Sequence, residues 1–130
     1  MNMKKCILGV LSILTLCACH ESLEDRAARE AADFTKKNCP MKVSEGITID
    51  SMVFEKSSKT LHYFYTLSGK ADTAAIKRPS AQKELLEAFK GDTSVRKYKE
   101  ENFNFAYTYF SKKHANQKLI EVTITPKEYK

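Results

Sequence analysis

The apolar positions at the start of the chain's polar region follow a helical period. Residues 21–38 contain no Gly or Pro. Their apolar side chains recur every three or four positions, at Leu23, Ala27, Ala31 and Phe34. Ser22, with Asp25 three positions later, is typical of a helix start, and Pro40 cannot continue a helix. The pattern predicts a first helix over residues 21–38, with an alanine-rich face that packs against a sheet.

The period then changes from about four to two. Residues 47–54 alternate between two faces, and so do residues 61–67 after the polar turn at 56–59. One face of the first run is predicted to carry Ile47, Ile49, Ser51 and Val53. Both runs are rich in β-branched or aromatic residues, which suit a pleated surface covered on one side. The sequence therefore predicts an antiparallel hairpin.

The second half of the chain repeats this order. A second helix is predicted from Ser80, with Leu85, Leu86 and Phe89 on one face and Gly91 at its end. Alternation returns from residue 102, with one face formed by Phe103, Phe105, Tyr107 and Tyr109. A last strand is predicted over residues 118–125 after a polar turn.

This order of elements predicts an α+β fold built from two helix-plus-hairpin units, α-β-β-α-β-β. We expect a four-stranded antiparallel sheet with its helices on one face. Residues 30–130 form a single domain in this interpretation, and residues 19–29 form a tether and the start of the first helix. A chain of this size buries enough surface for one core without disulfides.

The first eighteen residues have a different composition from the rest. Lys4 and Lys5 precede an uncharged run at 6–19, which ends at a charged segment. A membrane-spanning helix needs about 20 apolar residues, so this run is too short to remain as a span. The pattern is typical of an export signal over residues 1–18.

The end of this run, Leu16-Cys17-Ala18-Cys19, resembles the lipobox of bacterial lipoproteins. The resemblance implies cleavage between Ala18 and Cys19 and attachment of a diacylglycerol to the Cys19 thiol. Cys17 departs from the small or hydroxyl residue that is usual at its place. The alternative is an ordinary signal peptide cut after Ala18, which would release a soluble protein and leave a Cys19–Cys39 disulfide open. With Cys19 lipidated, Cys39 is a lone thiol, more typical of a small buried residue than of a nucleophile.

Several short runs in the folded part are similar to small uncharacterised exported lipoproteins of Gram-negative bacteria. The runs are Asn38-Cys39-Pro40-Met41, Gly46-Ile47-Thr48-Ile49-Asp50, Tyr63-Phe64-Tyr65 and Val122-Thr123-Ile124-Thr125-Pro126. The resemblance implies a cystatin-like α+β domain without an assigned reaction. The Gln-Val-Gly hairpin with which cystatins block proteases has no counterpart in the sequence, so inhibition of proteases does not follow.

The sequence contains no pattern of catalytic or metal-binding residues. His20, His62 and His114 lack partners at ligand spacing, and each is expected to be solvated. The carboxylate pairs lie in stretches rich in Lys and Arg, where they are typical of solvated faces. We expect no enzyme activity, no cofactor and no metal.

The net charge of +6 falls to +4 when Lys4 and Lys5 leave with the signal. The remaining excess of basic residues surrounds the second helix and offers a contact surface for an acidic protein or anionic lipid. These residues are Lys77, Arg78, Lys83, Lys90, Arg96, Lys97 and Lys99. A solvated helix face explains the same residues. Nucleic acid is not expected for an exported protein, and the aromatic strand is expected to be sheet core.

The sequence thus predicts a protein of the bacterial cell envelope, held by lipid in the outer membrane, that acts as a non-catalytic binding or accessory module. The alternative is an inhibitor or immunity protein that binds a hydrolase or toxin. One family of lysozyme inhibitors uses a Ser-Gly loop ending in Tyr. Ser68-Gly69 is present here, but Asp72 replaces that Tyr.

Overall fold

A computed structural model describes residues 21–73 and 75–130. The lipobox with Ala18 and Cys19 lies outside the described residues, so cleavage after Ala18 and lipidation of Cys19 remain predictions. The helices are α1 (Leu23–Asn38), α2 (Arg78–Gly91), α3 (Arg96–Glu100) and α4 (Pro126–Tyr129). The strands are β1 (Met41–Ser44), β2 (Ile47–Glu55), β3 (Thr60–Leu67), β4 (Asn104–Ser111) and β5 (Lys118–Ile124).

Helix α1 begins and ends where its capping residues predict. Ser22 Oγ accepts a hydrogen bond of 3.1 Å from the backbone N–H of Asp25, which satisfies one of the free amides of the first turn. Ala27 and Ala31 are fully buried, so the helix axis lies close to the sheet. Helix α2 begins two residues before the predicted Ser80, because Pro79 suits the first turn of a helix.

The prediction of a four-stranded antiparallel sheet is wrong. The sheet has five strands in the order β1-β2-β3-β4-β5, and its central pair, β3 and β4, is parallel. The two predicted hairpins are present as β2–β3 and β4–β5. They join through a connection that carries α2 and α3, and a connection of that length lets the second strand run parallel to the first.

The additional strand, β1, is short, and all four of its residues are exposed. It pairs with β2 at one edge of the sheet, where Met41 lies opposite Ile49. A strand of this length and exposure leaves no alternating pattern in the sequence. It was missed for that reason.

A bulge in β2 changes which residues face the core. The register with β3 shifts between Ile49 and Ser51, and one extra residue in a strand reverses the faces of all residues after it. Met52 and Phe54 therefore pack against the core, whereas Val53 is 46% exposed. The prediction that Ser51 and Val53 share one face with Ile47 and Ile49 is therefore wrong beyond the bulge.

The hydrophobic core lies between one face of the sheet and the helices. Phe103, Phe105 and Ile124 are fully buried there, together with Ala27 and Ala31 of α1. Phe89 of α2 and Tyr98 of α3 belong to the same cluster. No helix within 21–73 and 75–130 combines the length and the apolar character needed to cross a bilayer.

Candidate functional site

Four tyrosines form a stacked row on the inner face of the two central strands. Tyr63 and Tyr65 of β3 lie in register with Tyr107 and Tyr109 of β4, respectively. The rings of Tyr63 and Tyr107 stack with centroids 5.1 Å apart, and those of Tyr65 and Tyr109 stack at 4.7 Å. A diagonal contact of 6.5 Å between Tyr65 and Tyr107 joins the two pairs. We call these four residues the tyrosine row.

The two long helices lie on either side of the tyrosine row. The principal contacts of α1 are with β2, and those of α2 are with β5 and α4. All four rings are half-buried. We define the tyrosine groove as the part of the inner face that the row occupies between α1 and α2, together with the cavities at its two ends.

A cavity opens at each end of the tyrosine groove. The first, of about 350 Å³, lies where β3 ends, between Leu67 and Tyr109 of the sheet and Ala81, Leu85 and Ala88 of α2. The second, of about 260 Å³, lies where β3 begins, and it is lined by Ala27, Phe34, Leu61, Tyr63, Val95 and Tyr98 among others. Concave, mostly apolar surfaces with a few polar groups are the usual form of binding sites.

Burial keeps the four hydroxyls of the tyrosine row neutral. Burial raises the pKa of Tyr65 to about 12 and also raises the pKa of Tyr63, Tyr107 and Tyr109. None of the protein hydrogen bonds within the described residues uses these four hydroxyls. Each ring therefore offers an apolar body and one polar group, a combination that is enriched at interfaces.

Hydrogen bonds fix the α1 wall of the groove to the sheet and to α3. Thr35 Oγ1 accepts a bond of 2.9 Å from the backbone N–H of Met52 and lies 2.9 Å from its carbonyl oxygen. Tyr98 donates to Glu30 at 2.9 Å, and Arg26 donates to the same carboxylate at 2.6 Å. Partial burial favours the neutral acid, but these two bonds hold the pKa of Glu30 below its usual value.

The opposite face of the sheet carries a compact polar cluster around His62. The prediction that His62 is solvated is wrong, because its residue is only 8% exposed and its ring stacks on Phe64. His62 Nε2 lies 2.6 Å from Thr108 Oγ1, which donates to Glu121 at 2.7 Å. The hydrogen bond from Thr108 lowers the pKa of Glu121. Glu55 Oε1 lies 3.3 Å from His62 Nδ1, at an angle that makes no hydrogen bond.

The basic residues predicted as a contact surface lie on several sides of α2 and α3. Six of them are exposed: Lys77, Arg78, Lys83, Lys90, Arg96 and Lys97. Lys99 is engaged within the protein, because its Nζ donates to the carbonyl oxygens of Phe89 and Asp92 at 2.5 and 2.7 Å. It also lies 4.2 Å from the centre of the Phe89 ring. Lys99 therefore caps the end of α2.

The groups that could carry nucleophilic or metal chemistry are poorly placed for it. Cys39 is free and half-buried, and burial, followed by the charge of Asp50, raises the pKa of its thiol. Within 21–73 and 75–130, no three His, Cys, Asp or Glu side chains come together in a way that could hold a metal ion. Asp72, which follows Ser68-Gly69, is buried and accepts a bond of 2.9 Å from the backbone N–H of Lys113. It holds the β4–β5 turn against that loop.

The tyrosine groove was not predicted from the sequence. The alternation predicts that Tyr107 and Tyr109 share one face with Phe103 and Phe105, and it assigns all four to the core. The only signal for a groove was that four of the inner aromatic residues carry a hydroxyl. The separation of α1 from α2, which leaves them partly open, depends on tertiary packing.

Three solved structures share this fold. A Pseudomonas aeruginosa protein described as secreted is 16% identical, with a TM-score of 0.64 over 85% of this chain and 99% of that one. The pilotin EpsS of the Vibrio vulnificus type 2 secretion system is 14% identical, with a TM-score of 0.65 over 83% of this chain and 92% of that one. The type II secretion system pilotin AspS of Vibrio cholerae is 13% identical, with a TM-score of 0.60 over 82% and 91%.

At these identities the likeness establishes the fold alone. No curated protein matches the sequence. The profile of a family described as a domain of unknown function, DUF8479, matches residues 22–120, and the chain therefore belongs to that family.

Proposed function

We propose that the protein is a non-catalytic accessory protein of the bacterial cell envelope that binds a protein partner in its tyrosine groove. The observation that carries the proposal is the half-buried row of four stacked tyrosines between two helices, with a cavity at each end. Tyrosine supplies a large and rigid contact area at a low cost in side-chain entropy, and it is enriched at protein interfaces.

The structural neighbours support a role in secretion. Two of them are pilotins of type II secretion systems, and the third is described as secreted. We infer that the partner belongs to an envelope assembly of that kind. The likeness to the pilotins concerns the fold, so the partner's identity rests on the experiment below.

The chemistry of the described residues supports a binding role. The thiol of Cys39 has a raised pKa, and the six tyrosines have raised pKa values as well, so neither a thiolate nor a phenolate is favoured. His62 is packed between Phe64 and Thr108 on the other face of the sheet. General acid–base and nucleophilic mechanisms need such groups beside a substrate site.

Lipidation at the predicted lipobox would hold the domain close to a membrane. Lipidation at Cys19 would leave only residues 20–22 between the anchor and α1, which begins at Leu23. Three extended residues span about 10 Å. Two or more acyl chains hold a protein stably in a bilayer, whereas one chain holds it marginally. The groove would then remain within reach of partners at the membrane surface.

A pair of matched variants tests the binding role in the bacterium that encodes the protein. Ala88 is exposed and lines the larger cavity, so Ala88→Arg fills the groove without disturbing the core. Ala32, exposed on α1, lines neither of the two groove cavities, and Ala32→Arg is the control. We expect the tagged wild-type chain and the control to co-purify with the same envelope protein, and Ala88→Arg to lose it.

Retention of that protein by Ala88→Arg would contradict the role of the groove. Recovery of a hydrolase whose activity is lost on binding would support an inhibitor instead.

The predicted lipid anchor has a separate test. Cys19→Ala is expected to abolish labelling with a fatty-acid analogue, and labelling that survives the substitution would show that the lipobox assignment is wrong.

A further inference from the structure

The charged residues that line the two cavities of the tyrosine groove, among those that the structure describes, are all acidic. Glu84 borders the larger cavity, and Glu30 and Asp92 border the smaller one. The whole sequence carries a net charge of +6, so an acidic lining is the reverse of what composition predicts. The charge of the groove lining is therefore opposite in sign to that of the basic residues around α2.

Two of these three carboxylates form no ion pair with a described residue. Glu30 is neutralised by Arg26, whose Nε lies 2.6 Å from its Oε1. Glu84 and Asp92 are both exposed, and neither takes part in an ion pair with another described residue. The Lys99 ammonium lies 2.7 Å from the backbone carbonyl oxygen of Asp92. The Asp92 carboxylate accepts hydrogen bonds of 2.9 and 2.6 Å from the backbone N–H and the hydroxyl of Ser94, which leave its negative charge without a counter-ion among the described residues.

The lysines of α2 do not offset this charge inside the groove. Ala81, Leu85 and Ala88 line the larger cavity and share one side of the helix. Lys83 and Lys90 each lie two positions from a lining residue, and two positions are a rotation of about 200° in an α-helix. Their ammonium groups therefore lie on the opposite side of α2 from the groove.

The charge of Asp92 reaches the tyrosine row. After burial and the neighbouring tyrosines, Asp92 contributes to the raised pKa of Tyr107, and it contributes to that of Tyr63 as well. The carboxylate thus acts on the row as a nearby negative charge. Glu84 lies in α2 and Asp92 caps its end, eight positions later, which corresponds to a rise of about 12 Å along the helix axis.

We propose that the tyrosine groove receives an apolar polypeptide segment that carries two Lys or Arg residues about 12 Å apart, paired with Glu84 and Asp92. The apolar side chains of the segment fill the two cavities, and the tyrosine hydroxyls bind its polar groups. This inference rests on the proposed function, since it specifies the partner of the same groove.

Three synthetic peptides test the inference against the lipidated protein in phosphatidylcholine nanodiscs, which add no net charge of their own. The peptides share an Ala/Leu/Ser sequence of about 14 residues and differ at two positions about eight apart, the spacing that matches about 12 Å in a helix. These positions hold Lys, Gln or Glu. Fluorescence anisotropy of the labelled peptides gives each dissociation constant at low and high salt.

We expect the Lys peptide to bind about tenfold more tightly than the Glu peptide at low salt, with the Gln peptide between them. Added salt should narrow this difference, because exposed ion pairs are screened. In the double variant Glu84→Gln/Asp92→Asn, the preference should fall to within about twofold. Glu87→Gln, one turn further along the same helix and outside both cavities, should keep it.

Equal binding of the three peptides, or tighter binding of the Glu peptide, would overturn the charge inference and leave the proposed function intact. A tenfold preference for the Lys peptide over the Glu peptide that persists in Glu84→Gln/Asp92→Asn would overturn the inference as well, because other residues would then select the charge of the peptide. Failure of all three peptides to bind, together with a partner that survives Ala88→Arg, would overturn both the inference and the proposed function.

Discussion

The rings of Tyr63 and Tyr107 stack almost in parallel across the central strand pair, with an interplanar angle of 9° and 5.1 Å between their centroids. They lie directly opposite each other in the parallel register of β3 and β4. Aromatic pairs contribute about 0.5–1.5 kcal/mol beyond the area that they bury. The floor of the tyrosine groove is therefore rigid, and binding there needs little reordering of side chains.

The tyrosines make the protein sensitive to alkali. Burial raises the pKa of all six, to about 12 for Tyr65 and Tyr98. A raised folded-state pKa gives stability that is complete below the unfolded value of about 10 and is lost as pH rises through the folded value. We expect the urea midpoint to be constant between about pH 7 and 9 and to fall between about 10 and 12. Tyrosinate absorbance in the folded protein with a midpoint of about 10 would contradict this account.

Thr35 attaches α1 to the sheet. Its Oγ1 accepts from the backbone N–H of Met52 at 2.9 Å and lies 2.9 Å from the carbonyl oxygens of Ala31 and Met52. Thr35→Val keeps the shape but leaves the Met52 amide without this acceptor, so we expect a loss of about 1–3 kcal/mol in urea unfolding. Thr35→Ser keeps the hydroxyl and should cost less. Equal losses in the two variants would show that this bond does not stabilise the fold.

Two glycines with positive φ provide a matched pair. At Gly46, with φ 74°, an added Cβ would lie 2.7 Å from the carbonyl oxygen of Ser68 and 3.2 Å from Ala71 Cβ. At Gly69, with φ 60°, an added Cβ would meet nothing within 4 Å. Gly69→Ala should cost about 1–2 kcal/mol for its backbone conformation alone. Gly46→Ala should cost about 1–3 kcal/mol more, because the clash adds to the same backbone term.

Thermal or urea unfolding of both glycine variants measures this difference. The comparison also reports on the groove, since Ala71 lines its larger cavity. Equal costs at the two positions would mean that the loop at Ser68 moves away freely and does not form a fixed end of the groove.

Asp72 should govern part of the acid stability. Hydrogen bonds from the Ser111 side chain and the Lys113 backbone N–H lower the pKa of this carboxyl. A lowered folded-state pKa gives stability that is present above the unfolded value of about 3.9 and is lost as pH falls through the folded value. We expect Asp72→Asn to lose less stability than the wild type between about pH 5 and 3. An equal loss of unfolding free energy in the two proteins as the pH falls over this range would contradict the role of Asp72.

The parts of the fold that depend on local sequence were predicted well. Ser22 and Pro40 bound the first helix, and the alternation of residues 61–67 and 102–109 identifies two strands, because capping and side-chain period are local properties. The direction of β4 relative to β3 was predicted wrongly. The pairing of the two halves depends on how the connection that carries α2 packs on the sheet, and no local sequence pattern specifies that packing.

The candidate site was hidden for a similar reason. The alternation that places Tyr63 and Tyr107 on the inner face is the same whether a helix covers these residues or a groove leaves them partly exposed. The bulge at Ile49 and Ser51 also leaves no sequence signal, although it decides that Met52 lines the smaller cavity. Burial of His62 results from the stacked ring of Phe64 and from Thr108 on a neighbouring strand.

Site-specific photo-crosslinking in the bacterium that encodes the protein tests the central claim most directly. Tyr109 lines the larger cavity of the groove, whereas Phe110, the next residue of β4, lines a cavity with Asp50 and Thr66 on the other face of the sheet. A photoreactive benzophenone amino acid in place of Tyr109 should give one predominant crosslink to an envelope protein, and the same group in place of Phe110 should not. Crosslinking of that protein from Phe110 alone, or equally from both positions, would contradict the assignment of the tyrosine groove as the binding site.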